Sequence, residues 1–200
     1  STTTVRFRAH PGASTWLDLV VPTVREVVVN GESRDPDAVY DGARVALDDL
    51  AQKNEVTVVA EAAYSRTGEG LHRFVDPVDD EVYLYSQFEV ADARRVYACF
   101  DQPDLKATFQ VTVRTPSHWQ VVSNAPTPRP SKAEDGVRRW KFATTPRLPT
   151  YITALVAGPY HVERSQYEGR DRTVPLGLFC RKSLAEHLDA DELFDVTRRG

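Results

Sequence analysis

The sequence contains no methionine and only two cysteines. Without a Met the chain is expected to be a processed or excised piece of a longer protein, with its true start and its first strands lying elsewhere. Cys99 and Cys180 are far apart, and neither has a second Cys or a His at metal-ligand spacing, so neither a disulfide framework nor a thiolate zinc site is expected. Two free thiols suit a reducing cytoplasm, the alternative being a single bridge in an exported protein. Long apolar runs are also missing. None approaches the roughly 20 residues that a spanning helix needs, and Ser1 to Ala9 patterns as a strand rather than as an export signal. An excess of one charge is lacking too: 29 acidic and 25 basic residues, interspersed, give a net charge of -4. That balance excludes the basic stripe that nucleic acid or an anionic membrane surface would select, so no partner of either kind is expected. The five histidines, His10, His72, His118, His161 and His187, are too scattered to place two on one helical face, and no His-Glu-x-x-His occurs. No metal ligand is expected in this chain.

What is present is a chain of 200 residues, 41 % hydrophobic, long enough for one large domain or for one domain and part of a second. Up to about Phe179 the apolar residues fall in short alternating or continuous runs broken by turn residues, and helical period is scarce. Val5 to Phe7, Leu17 to Val21 and Val24 to Val29 read as strands, the last closing on Asn30-Gly31, a dipeptide that accepts the left-handed torsions of a tight hairpin. Ala43 to Leu47 and Val56 to Ala63 follow, with Val56, Val58, Ala60 and Ala62 on one face of the second. Ser65 to Asp80 has the composition of a loop, Val82 to Tyr85 is a strand, and Ala91 to Ala98 is one or two helical turns ending before Asp101-Gln102-Pro103. Strands are then expected at Ala107 to Val113, Gln120 to Val122, Arg138 to Ala143, Tyr151 to Ala157 and Val174 to Phe179, with Pro126 to Gly136 as a hairpin tip.

About ten or more short strands with so little helix predict an all-β fold, a curved two-sheet sandwich or saddle. The tail departs from it. Ser183-Leu184-Ala185-Glu186 has capping-box spacing, and Asp189 precedes Leu193, Phe194 and Thr197 on one helical face. Residues 1–182 therefore read as a β-domain and residues 183–200 as the beginning of a helical one.

The segment around Gln87 and Glu89 is unusual because a strand runs straight into a polar turn. Two-residue spacing on a strand aims an amide and a carboxylate into the same space, an arrangement suited to a cationic or hydrogen-bond-donating group. The plainer reading is a solvated edge strand with Glu89 paired to Arg94 or Arg95.

Ser86 to Phe109, SQFEVADARRVYACFDQPDLKATF, resembles the stretch of M1 (gluzincin) zinc aminopeptidases, aminopeptidase N type, written T-Q-F-E, A-R-R, P-C-F-D-E-P and K-A-x-F. Ser123-Asn124-Ala125-Pro126 is similar to that family's S-N-x-P turn, and Thr145-Pro146 with Pro149-Thr150-Tyr151-Ile152 to its T-P-x-M-S-T-Y-L strand. The Ser65 to Val75 loop looks actinobacterial, as does the use of 20 Arg against 5 Lys. Departures are Ser86 for Thr, Gln102 for Glu and Ala98 for Pro.

The resemblance implies the N-terminal β-domain of a zinc metallo-aminopeptidase, with residues 183–200 opening its thermolysin-like catalytic domain. It implies zinc in the full-length enzyme, held by ligands outside this chain, and peptide substrates with a free N-terminus. The Glu of T-Q-F-E, here Glu89, would bind the substrate α-ammonium, and Gln87 would shape the first side-chain pocket. The missing catalytic domain would be the main partner, and the 200 residues alone would be inactive. Asp101 and Pro103 would fix the turn presenting this segment, with Cys99 and Phe100 as packing residues. A competing possibility is a non-enzymatic β-sandwich binding module for carbohydrate or protein, using Glu89 with Tyr83, Tyr85, Phe88 and Tyr97 as a face, although aromatics at strand spacing are more often core.

Overall fold

The computed structural model describes residues 1–200 and contains fourteen strands and few helices. The first half builds one sheet and its cover from β1 (Thr2–Arg8), β2 (Thr15–Asp18), β3 (Thr23–Val29), β4 (Glu32–Arg34), the short helix α1 (Pro36–Val39), β5 (Arg44–Leu47) and β6 (Lys53–Glu61). Strands β1, β6, β3 and β4 pair antiparallel in that spatial order, and β2 with β5 forms a separate ribbon. Alternation drives the arrangement. Along β6, Asn54, Val56, Val58 and Ala60 are buried while their neighbours are not, and Leu17, Val27, Val45 and Leu47 complete the same core. Asn54 is polar, yet its amide is satisfied by Asn30 and by the Ala51 backbone, so its burial leaves nothing unpaired. The β3–β4 hairpin closes as expected at Asn30 and Gly31, with φ of 53° and 87°.

The second half contains β7 (Gly70–Val75), β8 (Val82–Gln87), β9 (Thr112–Pro116), β10 (Gln120–Ser123), β11 (Val137–Lys141), β12 (Leu155–Gly158), β13 (His161–Glu168), β14 (Thr173–Cys180) and the helix α2 (Ala190–Arg199). Its main sheet runs β10-β12-β8-β7, and β11 with β9 and β13 with β14 form ribbons. Leu84, Val121, Trp140, Phe142 and Ala157 make the core here, and the Trp140 indole N–H donates to Thr115 Oγ1 at 3.0 Å.

Several expectations are corrected. The loop expected over Ser65 to Asp80 contains β7, a strand without alternation that is held by its ladder to β8. It begins at Gly70, whose φ of 65° and whose missing Cβ, which would lie 3.3 Å from Arg95 Cβ, let the strand run against the turn that follows β8. The strand expected at Ala107 starts only at Thr112, because residues 107–111 bond irregularly to residues 142–148. Pro126 to Gly136 is not a hairpin tip: β10 and β11, on either side, pair with different partners. The strand expected from Tyr151 begins at Leu155, after a 3₁₀ turn over Thr150–Ile152. β13 was not expected at all; its sequence is polar at most positions, and pairing with β14 rather than burial defines it.

At the tail, Lys182–His187 is a 3₁₀ segment and Ser183 caps nothing. Its hydroxyl instead donates to Asp76, which is 1 % exposed and also accepts from Arg181 Nη1 at 2.9 Å and from the Val78 N–H at 3.0 Å. The neighbouring Lys182 N–H donates to the buried Tyr83 hydroxyl at 3.0 Å, and that hydroxyl donates to Asp79. Burial first, and the Asp79 carboxylate second, push the Tyr83 phenol up to about 12. Residues 181–183 are thereby fastened to the β7–β8 connection. Helix α2 begins as expected after Asp189, whose carboxylate accepts the Glu192 N–H, and Phe194 is its buried residue.

The Ser183 hydroxyl, the Val78 N–H and the Arg181 guanidinium together hold the Asp76 carboxyl below its ordinary value. A depressed folded pKa stabilises above the unfolded pKa, about 3.9, and that stabilisation is lost as pH falls through the folded value. Urea midpoints measured between pH 7 and pH 3 should therefore fall more steeply in the parent sequence than in Asp76→Asn. Parallel curves would remove Asp76 from the acid-sensitive set.

Candidate functional site

Strand β8 ends at Gln87, so Glu89 lies just past it in a turn rather than on the strand with Gln87 as the sequence suggests. The alternation nevertheless continues: Phe88 is buried at 4 % exposure, and Gln87 and Glu89 are both exposed. Gln87 is not idle. Its Oε1 accepts the Glu89 N–H at 2.5 Å, leaving its NH2 as the group able to face outward. The turn is closed by the Asp92 N–H donating to Phe88 O at 3.1 Å, and a 3₁₀ turn over Ala93–Arg95 follows.

Glu89 makes no ion pair. The two arginines that the plainer sequence reading offered it are engaged elsewhere: Arg95 Nε bonds Asp92 at 2.7 Å, and Arg94 Nε bonds Asp101 at 3.2 Å while its Nη1 lies 3.5 Å from Asp18. The Glu89 carboxylate thus stands exposed and unpaired at the tip of a turn, able to accept charge-assisted hydrogen bonds from a cation.

Beneath it the packing is dense. Phe88 sits edge-on to Tyr97, with centroids 6.0 Å apart at 82°, and clusters with Ala93 and Cys99. Asp101, 5 % exposed, divides its oxygens: Oδ2 accepts from the Arg94 N–H and from Arg94 Nε, both at 3.2 Å, and Oδ1 accepts the Thr150 hydroxyl at 2.7 Å. The Asp101 N–H donates to Asp18 Oδ2 at 3.2 Å. From Thr150 the bonding runs on through Thr153 Oγ1, which donates to Thr150 O at 2.7 Å and lies 2.7 Å from the Tyr97 hydroxyl. Asp101 was singled out from the sequence as fixing a turn. Asp18, Tyr97, Thr150 and Thr153 were not linked to it, because they are brought together only by long-range pairing such as the Asp18–Cys99 bridge.

Of the aromatics considered as a binding face, Tyr83 and Phe88 are core and Tyr97 is half-buried, leaving Tyr85 exposed. Cys99 is buried, and Phe100 packs edge-on to Phe7 at 5.0 Å. Burial, with the Asp101 and Asp18 carboxylates adding to it, pushes the Cys99 thiol well up, away from a reactive thiolate. Both cysteines are free. No group of three or more His, Cys, Asp or Glu side chains is placed to hold a metal ion.

A mostly-β domain ending in a helix has counterparts of known family. The peptidase M1 N-terminal domain model matches residues 37–152, more than half of the chain, and the chain belongs to that family. It is 57 % identical over 202 aligned positions to aminopeptidase N of Streptomyces lividans, which covers all of this chain and 23 % of that protein. Aminopeptidase N of Acetobacter pasteurianus is 42 % identical over 103 positions, covering 52 % of this chain and 28 % of the relative. The crystal structure of Legionella pneumophila aminopeptidase A in complex with aspartic acid superposes with a TM-score of 0.78 over 96 % of this chain and 23 % of that one; at 17 % identity the likeness is one of fold. The chain thus spans about a quarter of the length of these relatives.

The thiols provide a direct check on the packing under the turn. With the chain folded at pH 8, a maleimide should label the half-buried Cys180 and leave Cys99 unmodified, with both labelled in guanidinium. Prompt labelling of Cys99 in the native state, read by mass spectrometry, would mean that the Phe88–Ala93–Cys99 cluster is open.

Proposed function

We propose that residues 1–200 are the N-terminal domain of a zinc metallo-aminopeptidase that removes N-terminal residues from peptides, and that Glu89 binds the substrate α-ammonium. The observation that carries this reading is the exposed, unpaired Glu89 carboxylate held at the tip of a turn whose neighbouring arginines are already neutralised. A carboxylate left without a cation is ready for one brought by a ligand, and charge-assisted hydrogen bonds are the strong ones. Gln87 supports the same turn through its side-chain carbonyl, and in this reading its NH2 helps to shape the first side-chain pocket.

In this reading residues 1–182 form the β-domain and residues 183–200 open the catalytic domain, the chain's principal partner. Zinc, when bound to the full-length enzyme, supplies Lewis-acid chemistry at the scissile bond. In this reading its ligands belong to the catalytic domain rather than to these 200 residues, and the isolated chain is inactive. Two free thiols favour a cytoplasmic setting, and no helix is long and apolar enough to cross a membrane.

The deciding experiment is Glu89→Gln in the full-length protein, assayed on aminoacyl 4-nitroanilides. Loss of a hydrogen bond to a charged partner costs on the order of 1.5–3 kcal/mol, roughly ten- to two-hundredfold in kcat/KM. A change of less than twofold, the behaviour of an ordinary surface carboxylate, would end the recognition role. For the isolated chain, elemental analysis after dialysis should find no stoichiometric zinc, and one tightly held ion per chain would overturn the placement of the metal.

A further inference from the structure

We infer that Asp101 is a positioning residue for Glu89, acting through Arg94 and Thr150, and this rests on the recognition role proposed above. The turn carrying Glu89 has two ends. One is the last residue of β8, fixed by the sheet. The other is the 3₁₀ turn at Ala93–Arg95, which has no strand ladder and no side-chain cap of its own. What holds that second end is Asp101 Oδ2, which accepts both the backbone N–H and the side-chain Nε of Arg94. Arg94 in turn returns its carbonyl to the Val20 N–H at 2.7 Å.

The other oxygen of Asp101 fixes the same turn by a second route. It accepts from Thr150, whose carbonyl accepts from Thr153, whose hydroxyl meets the Tyr97 hydroxyl; and Tyr97 packs edge-on against Phe88, the residue directly before Glu89. One buried carboxylate therefore clamps the segment from both sides of Glu89. Neither route includes Glu89 itself, so the clamp sets where its carboxylate stands without occupying its hydrogen-bonding capacity. A site that must meet an ammonium group needs its carboxylate held to within a fraction of an ångström, and this is the work of buried, satisfied neighbours.

The test is a double-mutant cycle in the full-length enzyme with Asp101→Asn and Glu89→Gln, read as KM and kcat on alanyl 4-nitroanilide. Asp101→Asn alone should raise KM by about tenfold with a smaller effect on kcat, and in the Glu89→Gln background it should cost less than threefold, because a displaced carboxylate that is no longer there cannot be missed. If the two losses multiply in full, Asp101 serves the fold only and the positioning role is wrong. If Glu89→Gln alone costs nothing, the recognition reading falls, and the positioning role falls with it. Should Asp101→Asn not fold, Thr150→Val and Thr150→Ser take its place: Val, lacking the donor, should couple to Glu89→Gln, and Ser should restore KM to within about twofold. Equal KM for the two Thr150 variants would overturn the inference.

Discussion

A single buried anion organises the region that matters most. Asp101 is almost fully enclosed, and a carboxylate in that position must be paired and hydrogen-bonded or it destabilises the fold by several kcal/mol. Its partners come from three places in the sequence: Arg94, seven residues earlier, Thr150, 49 residues later, and, through the Asp101 backbone, Asp18, 83 residues earlier. The Asp101 carboxylate and its backbone N–H therefore tie the β2–β5 ribbon, the turn after β8 and the 3₁₀ turn before β12 together. Neither of the two larger apolar cores contains the charged groups that form this knot. Removing a partner of such a pair costs roughly 3–5 kcal/mol, more than most exposed pairs contribute together.

The three prominent carboxylates show how burial decides role. Asp101 and Asp76 are enclosed and each accepts several donors, so they act as fasteners: Asp101 under the turn, Asp76 between the β7–β8 connection and residues 181–183. Glu89 is exposed and accepts nothing through its side chain. Arg94 and Arg95, the nearest cations in sequence, are instead drawn to Asp101 and Asp92. The neutralisation of both leaves Glu89 as the free negative charge of the segment.

Much of this was legible in the sequence where one local rule dominated. The alternation of Val56, Val58 and Ala60 set the face of β6, Asn30-Gly31 set the hairpin, and Asp189 set the start of α2. The resemblance carried by Ser86 to Phe109 identified the family and pointed to Gln87 and Glu89. What escaped was structure defined by pairing alone. β7 and β13 have no buried face in alternation, so composition reads them as loop, and only β8 and β14 make them strands. The knot around Asp101 escaped for the same reason, since Asp18 and Thr150 carry no local mark of their role. Ser183 misled in the other direction, because its capping-box spacing is real but its hydroxyl gains more from the buried Asp76 than from an exposed helix end.

The combination of a rigid base and an unencumbered tip has an energetic logic. Ordering a flexible loop when a ligand arrives would cost about 1–2 kcal/mol per residue, enough to cancel one charge-assisted hydrogen bond within two residues. Between Gln87 and Asp92 part of that ordering is supplied within the domain, through the Gln87 side chain on the Glu89 N–H, the Asp92 N–H on the Phe88 carbonyl, and Phe88 against Tyr97. Under the role proposed for Glu89, a cation meeting its carboxylate would gain more of the interaction than it would on an unsupported loop.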